Sequence, residues 1–225
     1  MTSVELHDLS KRFGTRWVLA RLSFRAEPGE AVLLTGENGA GKTTLIKLLA
    51  TLIKPTFGRL ELFGEPGGAV AAQRQRIGLM THQTHLYDMQ SGRENLEFFA
   101  ALQGEPNAQR VDEMLAHVGL AKHAGRPVRT FSAGMKRRLV MAQLMLKAPR
   151  LVLLDEPWTQ LDPEGMVLMD ELITTLRKSG ATLIIATHDI ERGLPLCDTR
   201  LHLAQGRRVT PPTPPASARA VGGAR

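Results

Sequence analysis

Residues 36–43 read Gly36-Glu37-Asn38-Gly39-Ala40-Gly41-Lys42-Thr43. Immediately before them stands Ala31-Val32-Leu33-Leu34-Thr35, a continuously apolar run of the kind formed by a strand covered on both faces. After them Leu45, Leu48, Leu49 and Leu52 recur at helical spacing, which predicts a helix from Thr44. The octapeptide fits G-x-x-x-x-G-K-[ST] in the strand–loop–helix context that the pattern requires. Its glycines let successive backbone N–H groups converge on phosphate oxygens, and the helix N-terminus adds partial positive charge. On this reading Gly36, Glu37, Asn38, Gly39, Ala40, Gly41 and Thr44 cradle a nucleotide. Lys42 lies over its β- and γ-phosphates, and the Thr43 hydroxyl ligates Mg²⁺.

Working outward, Leu151-Val152-Leu153-Leu154 and Thr182-Leu183-Ile184-Ile185-Ala186 are two more buried-strand patterns, with Met169, Leu172, Ile173 and Leu176 at helical spacing between them. Strand then helix, repeated, predicts a parallel sheet with helices on its faces. The first of these strands ends in Asp155-Glu156-Pro157. Such sheets bind ligands at the carboxyl ends of their strands, so Asp155 suits the Mg²⁺ shell through water. Glu156 is placed to accept a proton from, or orient, the water that attacks the γ-phosphate. Carboxylates at strand ends also cap helices; the phosphate loop is what favours the catalytic reading. Val4 to Leu9 and Arg59 to Phe63, the latter after a turn over Lys54 to Gly58, predict an antiparallel flank. Strand patterns vanish between about Ser91 and Leu146, where Val111, Met114, Leu115 and Val118 mark an amphipathic helix. The expected fold is therefore α/β. It comprises a phosphate-loop ATPase core with a mainly parallel sheet, an antiparallel β flank near the N-terminus and an inserted helical subdomain at about 88–147. One domain spans 1–209, and 210–225, with four prolines among positions 211–215, is expected to be a disordered tail.

Composition narrows the classes. With 225 residues, 43% hydrophobic, the chain suits one large α/β domain. Cys197 is its only cysteine, which leaves no intrachain disulfide and reads as a small near-core residue. The opening MTSVELHDLS carries acids where a signal peptide needs basic and then apolar residues, and no apolar run approaches the ~18 residues of a membrane span. These features predict a cytoplasmic protein. A net charge of +7 permits contact with nucleic acid or anionic lipid without requiring either. Lys136-Arg137-Arg138, with Lys147 and Arg150, reads as a solvated helix face. His82 and His85 have a metal-compatible spacing, but no Cys or carboxylate completes a cluster.

GENGAGKT, LVLLDEP at 151–157, Gln83, Phe131-Ser132-Ala133-Gly134-Met135 ahead of a helix, Leu161-Asp162 and Thr187-His188-Asp189 occur in an order and spacing that resemble the ATP-binding subunit of ABC transporters. The resemblance covers about residues 1–209, and the element at 131–135 separates this family from other phosphate-loop ATPases. It implies that Phe13 stacks on adenine and that Gln83 senses Mg²⁺ and connects to a membrane subunit. It implies further that Ser132 and Gly134 reach the γ-phosphate of ATP held by an opposite subunit, that Asp162 ties the two sites together, and that His188 holds the γ-phosphate and attacking water. The implied cofactors are ATP and Mg²⁺. The implied partners are a second copy, or a homologous ATPase, in a nucleotide-sandwich dimer, and a separate transmembrane permease that keeps the protein on the inner face of the cell membrane. No specific nucleic acid is expected. The family's LSGGQ appears here as FSAGM, and Trp158 and Gln160 stand where family members have small residues, which places Trp158 at the expected dimer seam.

Gly78 to Asp88, followed by Glu94-Asn95-Leu96 and Phe98-Phe99, together with Ala133, is similar to the ATPase subunit of the haem exporter of cytochrome c maturation. A drug or polysaccharide exporter is the alternative. A soluble ABC ATPase acting on ribosomes or DNA is disfavoured because neither a second nucleotide domain nor a long heptad insertion is present. A scaffold that binds ATP without turnover is disfavoured by Glu156 and His188. His82, His85, Leu86 and Tyr87, flanking Gln83, are the expected docking surface for the membrane partner.

Overall fold

The strands of the central sheet send alternate residues into two different cores, which is why their sequences are apolar without a break. The computed structural model describes residues 2–66, 70–104 and 106–210. An antiparallel sheet is built from β1 (Val4–Phe13), β2 (Arg16–Ala26), β4 (Phe57–Leu62) and the short β5 (Glu65–Pro66), in the order β2-β1-β4-β5. The larger sheet has the order β10-β9-β3-β8-β7-β6, with β3 (Ala31–Gly36), β6 (Ile77–Met80), β7 (Leu151–Asp155), β8 (Thr182–Ala186) and β9 (Thr199–Ala204) parallel, and β10 (Arg207–Val209) antiparallel at the edge. The mixed α/β expectation therefore holds, parallel core and antiparallel flank included.

Helix α1 (Lys42–Leu49) lies between the two sheets. Its Leu45, Ile46, Leu48 and Leu49 share one core with Val4, Leu6, Leu19 and Leu22 of the flank and with Val32, Leu34, Leu151, Leu153 and Ile184 of the parallel sheet. The neighbouring residues Val152, Leu154, Leu183 and Ile185 face the other core, shared with α5 (Ala133–Lys147) and α6 (Pro163–Lys178). Leu52, the fourth member of the leucine pattern, falls beyond the end of α1 and is exposed. Five of the described strands were not visible as patterns: β2, β5, β6, β9 and β10. β2 and β9 are only partly buried along their length, and β5, β6 and β10 are two to four residues long.

A short helix, α2 (Val70–Gln75), precedes β6, and between β6 and β7 the described residues form helices, α3 (Gly92–Leu102), α4 (Ala108–His117) and α5, with 3₁₀ turns at Ala121–His123 and Val128–Thr130. The start of α3 is fixed by a reciprocal capping box: Ser91 Oγ accepts from the Glu94 N–H, and the Glu94 carboxylate accepts from the Ser91 N–H. The tail residues 211–225 lie outside the described residues. No helix among those described is long and apolar enough to cross a membrane.

Asn95 is fully buried and holds the segment that precedes α3. Its Oδ1 accepts from the Tyr87 N–H at 2.8 Å, and its Nδ2 donates to the carbonyls of Tyr87 at 3.1 Å and Ser91 at 2.9 Å. Asn95→Ala leaves buried backbone groups without partners, so the expected cost is about 2–3 kcal/mol. At this chain size that lowers Tm by about 4–12 °C in a thermal melt.

Candidate active site

The parallel strands β3, β8, β7 and β6 all point their carboxyl ends to the same edge of the sheet, and the sequence motifs meet there. Gly36 ends β3 with φ +149°; a Cβ at this position would sit 2.3 Å from the Leu203 carbonyl oxygen on neighbouring β9. Gly41, with φ +105°, is the N-cap of α1 and offers no side-chain acceptor, so the first-turn amides remain available to an anion. Lys42 is 8% exposed and folds back over the loop, its Nζ donating to the Gly36 carbonyl at 2.6 Å and the Glu37 carbonyl at 3.3 Å. A cleft of about 360 Å³ opens in front of the loop. Glu37, Asn38, Gly39, Gly41, Lys42, Thr43 and Thr44 form one wall, with Arg16, Val18, His82, Asp155 and Glu156 around them. Gly36 and Ala40 are not in this lining: Gly36 makes the turn and accepts from Lys42, and Ala40 is buried.

Asp155 and Glu156 are adjacent yet differently engaged. Asp155 is buried, and its Oδ2 has no hydrogen-bond partner among the described residues. Such an orphan acceptor beside a phosphate loop fits a cation or its water. Glu156 is held: its Oε2 accepts from the Thr187 hydroxyl at 3.1 Å, the His188 N–H at 3.3 Å and His188 Nδ1 at 2.8 Å. Its own N–H donates to the Ala186 carbonyl at 2.8 Å while its backbone takes φ +51°. The pairing of Asp155 with Ala186 in register brings Thr187 and His188 alongside it.

Ser132 and Gly134 do not line this cleft. They belong to a second concavity, of about 450 Å³, shared with Gly119, His123, Arg138, Gln160 and Asp162. Ser132 caps α5, its Oγ accepting from the Met135 N–H at 3.2 Å. Asp162 caps α6 through the Gly165 N–H at 2.9 Å and accepts from Arg138 at 2.8 and 3.1 Å. The Arg138 guanidinium holds its carboxyl below the usual aspartate range.

Residues 19–159 match the profile of the family described as ABC transporter. The chain belongs to the ABC transporter family. It is 36% identical over 215 residues to the Nod factor export ATP-binding protein I of Burkholderia lata, covering 94% of this chain and 71% of that protein. It is also 36% identical over 212 residues to the daunorubicin resistance ATP-binding protein DrrA3 of Streptomyces coeruleorubidus, covering 92% of this chain and 67% of that one. A solved structure described as the ATP binding subunit of an ABC transporter superposes with a TM-score of 0.85 at 29% identity, covering 92% of this chain and 88% of the other. The fold is that of the ABC ATPases, and this chain is an ATP-hydrolysing subunit of that family.

Within this ABC ATPase several expected residues sit elsewhere than the sequence implied. Gln83 is exposed and absent from the cleft lining, where its neighbour His82 stands instead. His85 lines a separate apolar groove with Phe99 and Leu102, so the two histidines do not share a site. Phe13 is 50% exposed at the tip of the β1–β2 hairpin with Lys11 Nζ 5.0 Å from its ring, so it is not a core residue; it does not line the cleft. The cationic run after Ser132 is not a solvated face. Arg137 is buried, Arg138 is bound to Asp162, Lys136 to Asp88 at 2.7 Å, and Lys147 donates to the Arg74 carbonyl. Charge alone suggested exposure; their acceptors come from segments distant in sequence. Burial pushes the Cys197 thiol up to about 12, which leaves it inert.

Trp158 also corrects an expectation. It does not face a seam: it is 4% exposed, its Nε1 donates to Asp170 Oδ1 at 2.7 Å, and Arg192, paired with Asp170, lies 5.9 Å from its ring. Trp158→Phe should therefore act on the fold, costing about 1–2 kcal/mol for the lost hydrogen bond. In a thermal melt that lowers Tm by about 2–8 °C. Trp17→Phe, at a position 48% exposed, should leave the melt unchanged.

Proposed function

We propose that this subunit is the engine of an exporter, in which two copies sandwich MgATP and the closing and opening of that dimer drives a separate transmembrane subunit. The observation that carries this reading is the division of the functional residues between two concavities. The cleft with Lys42, Asp155 and Glu156 and the concavity with Ser132 and Gly134 share no lining residue, so each chain offers two half-sites of opposite kind. Glycine-loop amides and Lys42 bind the β- and γ-phosphates, and Thr43 and Asp155 are the residues that would hold Mg²⁺. When bound, that ion neutralises charge on the phosphates. Glu156 orients the attacking water and takes its proton, while His188, hydrogen-bonded to Glu156, would hold the γ-phosphate. Ser132, Gly134 and the N-terminus of α5 close on the same phosphate from the other copy, with Asp162 at the seam. Phe13, exposed at the hairpin tip and outside the cleft lining, would stack on adenine once nucleotide is bound. Gln83, exposed beside the cleft residue His82, would sense the bound metal and relay its state to the membrane partner. The protein then sits on the inner face of the membrane through its permease.

For the cargo, the names of the relatives support the drug or polysaccharide alternative over haem. Two relatives at 36% identity are named for Nod factor export and daunorubicin resistance. The Gly78–Asp88 stretch on which the haem resemblance rests lies against the helical block, where Tyr87 meets Phe98 edge-on at 5.0 Å, and it reads as docking chemistry rather than cargo chemistry.

Lys42→Ala is expected to abolish nucleotide binding, whereas Glu156→Gln keeps binding, loses turnover and shifts from monomer to dimer on size exclusion with MgATP. Equal loss of binding in both variants, or a Glu156→Gln protein that stays monomeric at saturating MgATP, would count against the sandwich. Tyr87 is 46% exposed. Tyr87→Asp should keep the basal ATPase within about twofold and weaken co-purification with the membrane subunit. Persistent co-purification at normal turnover moves the docking surface elsewhere.

A further inference from the structure

Arg137 is fully buried, with 1% of its surface exposed, and no carboxylate among the described residues binds it. Its hydrogen bonds go to main-chain carbonyls: Nη1 donates to Thr81 at 3.3 Å and Nη2 to Glu156 at 3.1 Å. Taking a guanidinium out of water costs several kcal/mol, and an apolar side chain of similar volume would fill the space at less cost. Burial does push the Arg137 pKa down, and the charges of Asp155 and Glu156 oppose that shift. Packing alone therefore does not account for an arginine here. What arginine adds is a rigid fork whose two prongs reach two different partners.

Those partners are the residues that follow two adjacent parallel strands, β6 and β7. The Glu156 peptide is in the left-handed region, sparsely populated by residues other than glycine, and is pinned from both sides: its N–H by Ala186 and its C=O by Arg137. On the other prong, the Thr81 hydroxyl is hydrogen-bonded to both the N–H and the C=O of Gln83. Arg137 itself lies on α5, five residues after the Ser132 cap.

We propose that Arg137 is a positioning residue whose guanidinium fixes the Glu156 peptide and links it to the Thr81–Gln83 segment, so that the aim of the Glu156 carboxylate depends on how the helix carrying Ser132 is seated. The proposal rests on the reading of Glu156 as the group that acts on the attacking water.

The test uses the full chain, steady-state turnover of MgATP and thermal melting. Arg137→Met removes both donors and the buried charge together. It should lower kcat about tenfold or more with KM within about twofold, because ground-state nucleotide contacts are untouched. Its Tm should shift by only a few degrees, because relief of the buried charge is offset by the Thr81 and Glu156 carbonyls left without a donor. Arg137→Lys, able to serve one carbonyl at a time, should recover part of the lost kcat. A kcat within about twofold of the parent for Arg137→Met overturns the proposal, as does a loss of kcat that comes with matching changes in KM and Tm. Should Arg137→Met fail to fold, Arg137→Gln and Arg137→Lys carry the same comparison. Glu156→Gln in parallel separates the two ideas. If it retains turnover, the reading of Glu156 fails; if it loses turnover while the Arg137 variants do not, only the role of Arg137 fails.

Discussion

The Lys42 ammonium drawn onto the carbonyl oxygens of Gly36 and Glu37 organises this molecule's chemistry. Carbonyls gathered around a cation turn the amides of the same loop the other way, toward the cleft, which is the condition for binding phosphate through backbone. The arrangement is not local to the octapeptide. Gly36 must be glycine because β9 brings the Leu203 carbonyl to 2.3 Å of where a Cβ would stand, and Gly41 because a Cβ there would lie 2.7 Å from the Leu19 side chain on β2. The phosphate loop is thus clamped between the two sheets, and the order of the strands decides its shape as much as its sequence does.

The same strand order distributes negative charge. At the end of β7, Asp155 keeps one buried oxygen unpartnered, while Glu156 has its outward oxygen filled by three donors from the segment after β8. A carboxylate already supplied with donors is held at a fixed angle, and one with an unpartnered oxygen suits a cation or its water. The left-handed turn at Glu156 produces the difference, since it swings this residue toward Thr187 and His188 instead of continuing the strand.

Much of this was legible in the sequence, and for identifiable reasons. Buried parallel strands announce themselves by unbroken apolar runs, and the loop, Asp155, Glu156 and His188 follow such runs directly, so pattern and position coincide. The β2, β6, β9 and β10 strands carry no such signal, being short or half exposed, and only pairing with their neighbours reveals them. Arg137 and Trp158 were misjudged for a related reason. A cation in a Lys-Arg-Arg run looks solvated and an aromatic at an unusual position looks like a seam residue, yet the acceptors that draw both inward lie 12 to 56 residues away in the chain. Gln83 and Phe13 show the converse: a resemblance assigned them roles, and in a single chain neither side chain reaches the cleft lining.

That last contrast follows from how the second concavity is built. Its polar groups are engaged from within the chain in a way that leaves their outward chemistry intact. Ser132 uses its oxygen as acceptor for the Met135 N–H, so its hydroxyl proton remains free to donate. Asp162 is bound by Arg138, whose positive charge offsets a carboxylate that would otherwise repel an approaching phosphate. The 15-residue helix α5 begins at the same place, adding the partial positive charge of its first turn. Trp158, the bulky residue expected at the seam, is turned inward onto Asp170, which leaves Gln160, in a left-handed turn, to line the concavity. Among the described residues the two concavities differ in kind: one gathers the loop amides, Lys42 and the carboxylates Asp155 and Glu156, the other the Ser132 hydroxyl and the first turn of α5. In the proposed sandwich each of these surfaces would supply what the other lacks.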